Sequence, residues 1–398
     1  MSATMSAFYS HLIDSNRHNS KLLFDTVSKL TQINQVVSCP QLTAQDFLLF
    51  FNDKVMDIRL QIPQSLQSDS LCAAAPSFSN GQGLSVFELP TLSELSKIVS
   101  SSRSTTCPLD PLPSWVIKEL WSTLGPYVLS ILNYSLSSGV FPACFKSAVV
   151  KPLLKKPGLD AEAPSNYRPV SNLAFLSKVF EKVVSKQLVH YLTENNLFEP
   201  LQSAFRANHS TETALTKVVN DLLLNADSDC ASVLLLLDLS AVFDTVDHCI
   251  LIERLEYHFG ISGKVLSWLK SYLSERSQCV LFNNVLSEPC MVKHGVPQGS
   301  VLGPLLFSLY LAPLGKLLHS LEIDFHCYAD DLQLYMPLTC ENRPNLSKIE
   351  ACLSAVRDWL SENFLFLNSA KTEMMIIGPQ KLHNLFNNVS LSLDDCVV

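Results

Sequence analysis

The stretch Val233-Leu-Leu-Leu-Leu-Asp238-Leu-Ser-Ala-Val-Phe243-Asp244 runs through five apolar residues and then meets a carboxylate. It reads as a buried strand that delivers Asp238 at its end, where the backbone leaves the sheet. A carboxylate in that position is costly to desolvate unpaired, so it calls for a cation or for solvent. A second stretch, Phe325-His-Cys-Tyr-Ala-Asp330-Asp331-Leu-Gln-Leu-Tyr335, sets two adjacent carboxylates between apolar-rich flanks. That pattern predicts a β-hairpin with Asp330 and Asp331 at its tip. Adjacent like charges repel, and a divalent cation is the usual means of holding them together. Taken singly, each feature has a plainer reading: a strand-end or helix cap for Asp238, a solvated turn for the pair.

Outward from these two stretches, residues 141–378 alternate short apolar runs with longer amphipathic ones, the texture of a mixed α/β domain. Val233–Leu237, Val280–Phe282 and Phe325–Tyr328 read as strands; Lys178–Leu192, Ser210–Leu224, Cys249–Phe259 and Leu346–Leu360 read as helices. Upstream, helices are expected around Lys21–Ile33 and Ala44–Ile62, and Phe47, Phe50, Phe51 and Val55 recur at helical spacing in the second. Pro63–Ser85, rich in Ser, Gln, Gly and Pro, reads as a linker, and the proline-rich turn Cys107–Pro113 leads into a helix from Ser114. The longest apolar tract, Val301–Leu318, is broken by Gly303, Pro304, Pro313 and Gly315, so it is read as core and not as a membrane span.

Of the 398 residues, 47% are hydrophobic and 17% charged, which excludes wholesale disorder. Met1–Ser20 has no apolar block of the kind a secretion signal needs. The 12 cysteines are scattered singly, without zinc spacing, as expected for reduced thiols in an intracellular protein. A net charge of −8 argues weakly against a nucleic-acid partner, but its distribution matters more than its total. Between Lys146 and Lys186 stand eight basic residues against three acidic ones, so basic surface is concentrated in one stretch.

Around the carboxylates a series of blocks stands in order. Lys156-Pro-Gly158 is followed by Asn166-Tyr-Arg-Pro169, then by Gln202-Ser-Ala-Phe-Arg206 with His209-Ser-Thr-Glu212. After the Asp238 segment come Gly295-Val-Pro-Gln-Gly-Ser-Val-Leu-Gly-Pro304, Tyr328-Ala-Asp-Asp331 and Leu367-Asn-Ser-Ala-Lys-Thr-Glu373. Across roughly residues 90–378 this series resembles the reverse transcriptases of non-LTR (LINE-type) retroelements. Thr105-Thr-Cys-Pro-Leu-Asp-Pro111 and Asp238-Leu-Ser-Ala-Val-Phe-Asp-Thr-Val-Asp-His248 resemble the vertebrate-type branch in particular.

The resemblance implies an α/β (α+β) right-hand polymerase with palm and fingers, its antiparallel palm sheet packed with helices. It implies RNA-directed DNA polymerase activity on an RNA template, a DNA or RNA primer and dNTPs. Asp238, Asp330 and Asp331 would hold two Mg²⁺ ions, with Mn²⁺ as a substitute. Lys156 and Arg168 match fingers residues on the triphosphate, for which a cationic pair is chemically apt. Phe243 matches an aromatic gate against the 2′-hydroxyl, and Gln298 and Gly299 line the nucleotide region. Gly295 belongs to a loop expected to approach the nascent base pair, Arg206 to the template side. Lys371 matches a palm lysine proposed to protonate or neutralise pyrophosphate. Asp244 and Asp247 lie off the metal site, as charges near a helix N-terminus.

Two substitutions depart from the pattern. Val242 stands where relatives often have Ala and could crowd the nucleotide pocket; Ala204 replaces a common Gly, which matters only if that backbone needs a positive φ. The expected organisation is a helical N-terminal segment over 1–62 (the linker region after a missing endonuclease), a linker over 63–90, and a helical lead-in over 91–140. Fingers and palm follow over 141–378 and a truncated extension over 379–398, with the thumb expected to be missing. Without a thumb, processivity is expected to suffer. The competing readings are a retroelement-derived remnant that binds RNA or a partner without polymerising, and a viral-style RNA polymerase, which Phe243 disfavours. No membrane and no particular protein partner is implied, and cytoplasm or nucleus would be the compartment.

Overall fold

The structure, a computed structural model, describes residues 10–12, 14–15, 41–61, 83–105, 107–338, 344–379, 392–393 and 396–397. The expected helix at 21–33 lies outside them. Packing divides the chain into Met1–Leu42 and Thr43–Val398, and everything below concerns the second unit. In chain order its strands are β1 (Ser147–Leu154), β2 (Tyr167–Asn172), β3 (Ala231–Leu237), β4 (Leu239–Ser240), β5 (Arg276–Phe282), β6 (Val285–Leu286) and β7 (Cys290–Val292). They continue with β8 (Asp324–Tyr328), β9 (Asp331–Leu338), β10 (Phe366–Leu367), β11 (Glu373–Ile377) and a terminal pair, β12 (Ser392–Leu393) and β13 (Cys396–Val397).

The palm is the four-stranded sheet β11-β3-β9-β8, antiparallel at every junction. From Val233 onward its inner strand β3 is continuously apolar, because both of its faces are covered. Val233, Leu235 and Leu237 enter the main core. Leu234 turns the other way, into a smaller cluster with Val218 and Leu222 of the helix Thr211–Asp227 and with Tyr335. Two residues beyond β3, the short strand β4 pairs with β10.

The fingers are a second sheet, β2-β1-β5, with β6 and β7 also on β5; β1 and β5 run parallel and the other pairs antiparallel. Only Val280–Phe282 of β5 was legible as strand. Its first half is polar, and Arg276 at its start is 2% exposed, donating to the Tyr272 carbonyl (3.0 Å) with its guanidinium 4.9 Å from the Tyr272 ring. The predicted helices are found at Phe175–Glu194, Thr211–Asp227, His248–Tyr257 and Pro344–Glu362.

The tract read as core forms the helix Leu302–Ser320. It is the one helix among the described residues long and apolar enough to cross a membrane, and 61% of that window is buried inside the molecule. Its N-terminus is held by Glu181, wholly buried, which accepts from the Val301 (2.7 Å) and Leu302 (3.1 Å) N–H groups and from the Tyr272 hydroxyl (3.2 Å). Burial pushes that carboxyl's pKa up, while these N–H donors and Arg276 pull it back. A negative charge at a helix N-terminus satisfies otherwise unpaired amides.

Two segments expected to lie outside the fingers and palm are packed against them. The helix Ala44–Leu60 starts at a capping box in which Thr43 and Asp46 satisfy each other's backbone N–H groups. Near its start Phe47 is fully buried, its ring 4.8 Å from Tyr167 and 4.7 Å from Phe282 of the fingers. Near its end Arg59 pairs with Asp247 (2.7 Å), donates to the Thr245 carbonyl (3.3 Å) and lies 3.7 Å over the Phe364 ring, all on the palm side. One helix thus ties the two sheets together. Residues 83–90 are pinned as well: Leu84 bridges to Ile261, Phe87 is buried against Trp268, and the Glu88 N–H donates to Gln187.

Candidate active site

Asp238 follows β3 directly, and Asp330 and Asp331 stand at the turn between β8 and β9. Leu237 opposes Leu332 and Tyr328 opposes Asp331, so one further step along β3 brings Asp238 level with Asp331. Three carboxylates from two neighbouring strands therefore meet at one end of the palm sheet. Two alanines aim them. Ala241, three residues after Asp238, and Ala329, immediately before Asp330, both have left-handed backbones (φ 51° and 57°). For a residue with a Cβ that conformation costs on the order of 1 kcal/mol, so surrounding contacts must hold it.

Burial and neighbouring charge act on the two carboxyls of the turn. Burial raises the pKa of Asp330, the charges of Asp331 and Asp238 add to that, and its own backbone N–H opposes it. Asp331, although exposed as a residue, is raised by partial burial of its carboxyl and then by Asp238. Asp238 is held differently: its Oδ2 accepts from Lys371 Nζ (3.3 Å) and from Asn368 Nδ2 (3.2 Å), and its carbonyl accepts from the Asn368 N–H (2.9 Å). Lys371 comes across from the stretch leading into β11, the other neighbour of β3. An all-carboxylate donor set with internal repulsion suits a hard divalent cation such as Mg²⁺. The side chains fit that ion in kind without being drawn tightly together: among the described residues no three His, Cys, Asp or Glu side chains converge as a ready-made metal cluster.

Beside the carboxylates, Phe243 lies in the one-turn helix Val242–Thr245 with its ring 4.9 Å from Phe307. Its carbonyl accepts from the Val296 N–H (2.7 Å), and the Gly295 N–H donates to Val246 (2.8 Å), so the glycine-rich loop is stapled to this turn. Val242 is buried in the core, so its extra methyls crowd no open pocket. The glycines were expected to let the loop approach a base pair; in the structure both also stand close against the protein's own backbone. A Cβ on Gly295 would stand 2.7 Å from the Asp244 carbonyl oxygen, and one on Gly299, at φ 112°, 2.6 Å from that of Ser171. Gln298 between them accepts from the Ser171 N–H (2.8 Å) through its carbonyl.

A cavity of about 260 Å³ opens next to this turn, lined by Ala241, Asp244, Gln298, Lys54 and Arg276 among others. Burial pushes the Asp244 carboxyl up to about 6, with Lys54 pulling it down. Asp247, by contrast, caps the helix His248–Tyr257, accepting from the Cys249 (2.9 Å) and Ile250 (3.2 Å) N–H groups.

On the fingers, Lys156 and Arg168 are exposed on the β1–β2 hairpin. The neighbouring Lys155 is the lysine that senses the palm: burial lowers its pKa first, then the charges of Lys54 and Lys371, while Asp238 opposes them. Arg206, expected near the template, donates from Nη1 to the carbonyls of Glu199 (3.0 Å) and Gln202 (3.1 Å), so it holds its own loop. Ala204 needs no glycine, since the positive φ falls on the next residue, Phe205 (60°). Sequence reasoning passed over Asn368, Lys155 and Gln202, although all three lie inside or beside the quoted blocks.

Residues 154–387 match the family model described as reverse transcriptase (RNA-dependent DNA polymerase). The chain belongs to the reverse transcriptase family. Its reverse transcriptase domain is 32% identical over 251 residues to the probable RNA-directed DNA polymerase from transposon BS of Drosophila melanogaster, covering 62% of this chain and 27% of that protein. It is 31% identical over 266 residues to the corresponding X-element protein of the same fly, covering 67% and 27%. It is 30% identical over 302 residues to the transposon TX1 uncharacterized 149 kDa protein of Xenopus laevis, covering 72% and 23%. Insect and amphibian relatives at such similar identity single out no vertebrate branch, and the chain spans about a quarter of the length of these relatives. Among solved structures, apo telomerase from Candida tropicalis, truncated from the C-terminal domain, overlays at TM-score 0.45 with 16% identity, covering 72% of this chain and 59% of that one.

Proposed function

We propose that this chain adds deoxynucleotides to the 3′-end of a DNA or RNA primer on an RNA template, as the polymerase module of a non-LTR retroelement protein. The observation that carries this reading is the level placement of Asp238 with Asp330 and Asp331 at one end of the palm sheet. Divalent ions bound there, Mg²⁺ or Mn²⁺, would supply activation of the attacking 3′-oxygen and neutralisation of the triphosphate. Asp238, Asp330 and Asp331 would hold them, and Lys371, paired with Asp238, would neutralise or protonate the departing pyrophosphate. Lys156 and Arg168, exposed on the fingers hairpin, are free to reach triphosphate oxygens. Phe243, backed by Phe307 and stapled through its carbonyl to Val296, is a firm wall against a 2′-hydroxyl.

Extension of a primed RNA template with Mg²⁺ and labelled dNTPs tests the reading. Extension by the wild type with loss in Asp330→Asn supports it. No wild-type extension while RNA is still bound points to a non-polymerising binder, and preference for NTP over dNTP points to an RNA polymerase. Phe243→Val is expected to raise NTP use relative to dNTP by about tenfold or more, read as the ratio of kcat/KM values.

A further inference from the structure

The turn that carries Asp330 is held by a side chain outside the palm sheet. Gln202 is buried, 6% exposed, and its amide treats Ala329 as one peptide treats another in a β-ladder. The Ala329 N–H donates to Gln202 Oε1 (3.0 Å) and the Ala329 carbonyl accepts from Gln202 Nε2 (3.2 Å). Oε1 also accepts from the Ala204 N–H (3.0 Å), and two N–H donors on one atom fix which end of the amide is oxygen. Just before this point the backbone of Leu201–Ser203 runs as an extra parallel strand on β8. The Cys327 N–H donates to Leu201 (2.8 Å) and the Ser203 N–H to Cys327 (3.0 Å). Where that backbone turns away, toward the positive φ of Phe205, the Gln202 side chain continues the ladder by one step. That step lands on Ala329, whose left-handed φ of 57° sets the direction in which Asp330 leaves β8.

We propose that Gln202 is the positioning residue of the Asp330–Asp331 turn. By saturating both polar groups of the Ala329 peptide, it stabilises the left-handed conformation and fixes the Asp330 carboxylate against repulsion from its neighbours. It touches no substrate and acts through Ala329. Its link to catalysis rests on the polymerase reading above; its effect on the turn does not. A buried glutamine serving only to fill space would tolerate a methionine of similar shape, whereas a peptide-mimicking one would not.

The test compares Gln202→Met and Gln202→Glu with the wild type. Glutamate keeps the acceptor for the Ala329 and Ala204 N–H groups and loses the donor, so it rescues in part. Hydrogen–deuterium exchange is read on peptides spanning 325–335, Mn²⁺ affinity by isothermal titration of the metal alone, and primer extension as kcat and KM for dNTP. For Gln202→Met, exchange at the turn should rise at least tenfold while peptides from the β1–β2 hairpin stay unchanged. Mn²⁺ affinity should fall 10–100-fold, the range for partners that orient metal ligands, and kcat should fall with dNTP KM within about twofold. Gln202→Glu should lie between. Wild-type exchange at the turn in Gln202→Met overturns the proposal, as does a change spread evenly over the molecule. If Gln202→Met does not fold, wild-type exchange and Mn²⁺ affinity in Gln202→Glu overturn it. An inactive wild type with the exchange and Mn²⁺ effects present leaves the positioning role standing and sinks the polymerase reading alone.

Discussion

Asp238 and the Asp330–Asp331 pair stand level on neighbouring strands, yet the protein handles their charges in opposite ways. Around Asp238 the chain brings its own donors: Lys371 and Asn368 both point at Oδ2, and Asn368 also takes the backbone carbonyl. Around the pair it grips the backbone, through Gln202 on Ala329, and leaves the two carboxyls raised by burial and by the charge of Asp238, with Asp331 adding to Asp330. Asp238 is therefore the arm with a cationic partner of its own, and the turn is the arm without one that the structure supplies at its carboxyls. This asymmetry would suit reversible binding of a divalent ion, because such an ion would relieve the burial and repulsion, that from Asp238 included, which are felt at the turn.

The largest expected effect is on turnover. Asp238→Asn and Asp330→Asn should each cut primer extension by about a thousandfold or more, since a lost ligand forfeits several kcal/mol of transition-state stabilisation. In metal-free protein the same two variants should part company. The folded pKa of Asp330 lies above its unfolded value, so keeping it charged costs stability. That cost is absent below the unfolded value near pH 4, builds as pH rises through the folded value, and is complete above it. Asp330→Asn should thus raise Tm at pH 8, with the gain vanishing near pH 4 and under saturating Mg²⁺. Asp238→Asn removes a partner of Lys371 and should lower Tm or leave it alone. Melts in chelator at the two pH values decide this, and equal shifts for both variants would break the comparison.

Asp244 sharpens it from outside the site. This carboxyl is also raised by burial, to about 6, but it lines the cavity with Lys54 nearby and is not shifted by any of the three site aspartates. The sign is the same as for Asp330: the cost of its charge builds between about pH 4 and pH 6 and is constant above. A shift of that size corresponds to about 1–3 kcal/mol once hydration of the cavity is allowed for, so in a unit of this length Asp244→Asn should raise Tm by roughly 1–4 °C at pH 8. Unlike the gain in Asp330→Asn, this one should persist when Mg²⁺ is added. Loss of the gain on adding Mg²⁺ would mean that Asp244 shares the ions.

What could be read from sequence divides along the same line. The carboxylates were legible because apolar flanks leave them conspicuous, and Val233–Leu237 and Phe325–Tyr328 are strands as the pattern implied. Their keepers were not. Gln202 and Asn368 act through amide groups brought in from distant segments, and a lone amide carries no periodicity or charge signal. The helix Ala44–Leu60 was legible as a helix but not as part of the polymerase unit, because Phe47 and Arg59 find their partners more than a hundred residues away. The loop-holding part of Arg206 was hidden for the converse reason: a basic residue in a recognised block reads as a nucleic-acid contact, and its carbonyl partners carry no sequence signal.

Lys371→Ala would make the two arms alike, and its effect should be the smallest. Its side chain is 65% exposed and that of Asp238 35%, so the pair is screened and worth about 0.2–1 kcal/mol. In metal-free protein a divalent ion approaching Asp238 must compete with Lys371 for Oδ2. Removing the lysine should therefore tighten Mn²⁺ binding, by about 1.5- to 5-fold if the whole pair energy is released. Turnover should move the other way, because the same lysine is then missing when pyrophosphate leaves. Tighter ion binding together with a lower kcat is the signature of a lysine that stands in for the ion and later serves the leaving group. Weaker binding with lower kcat would instead make Lys371 a support for the Asp238 geometry, and Asn368 alone, with its two hydrogen bonds to Asp238, would then be too little to hold that arm.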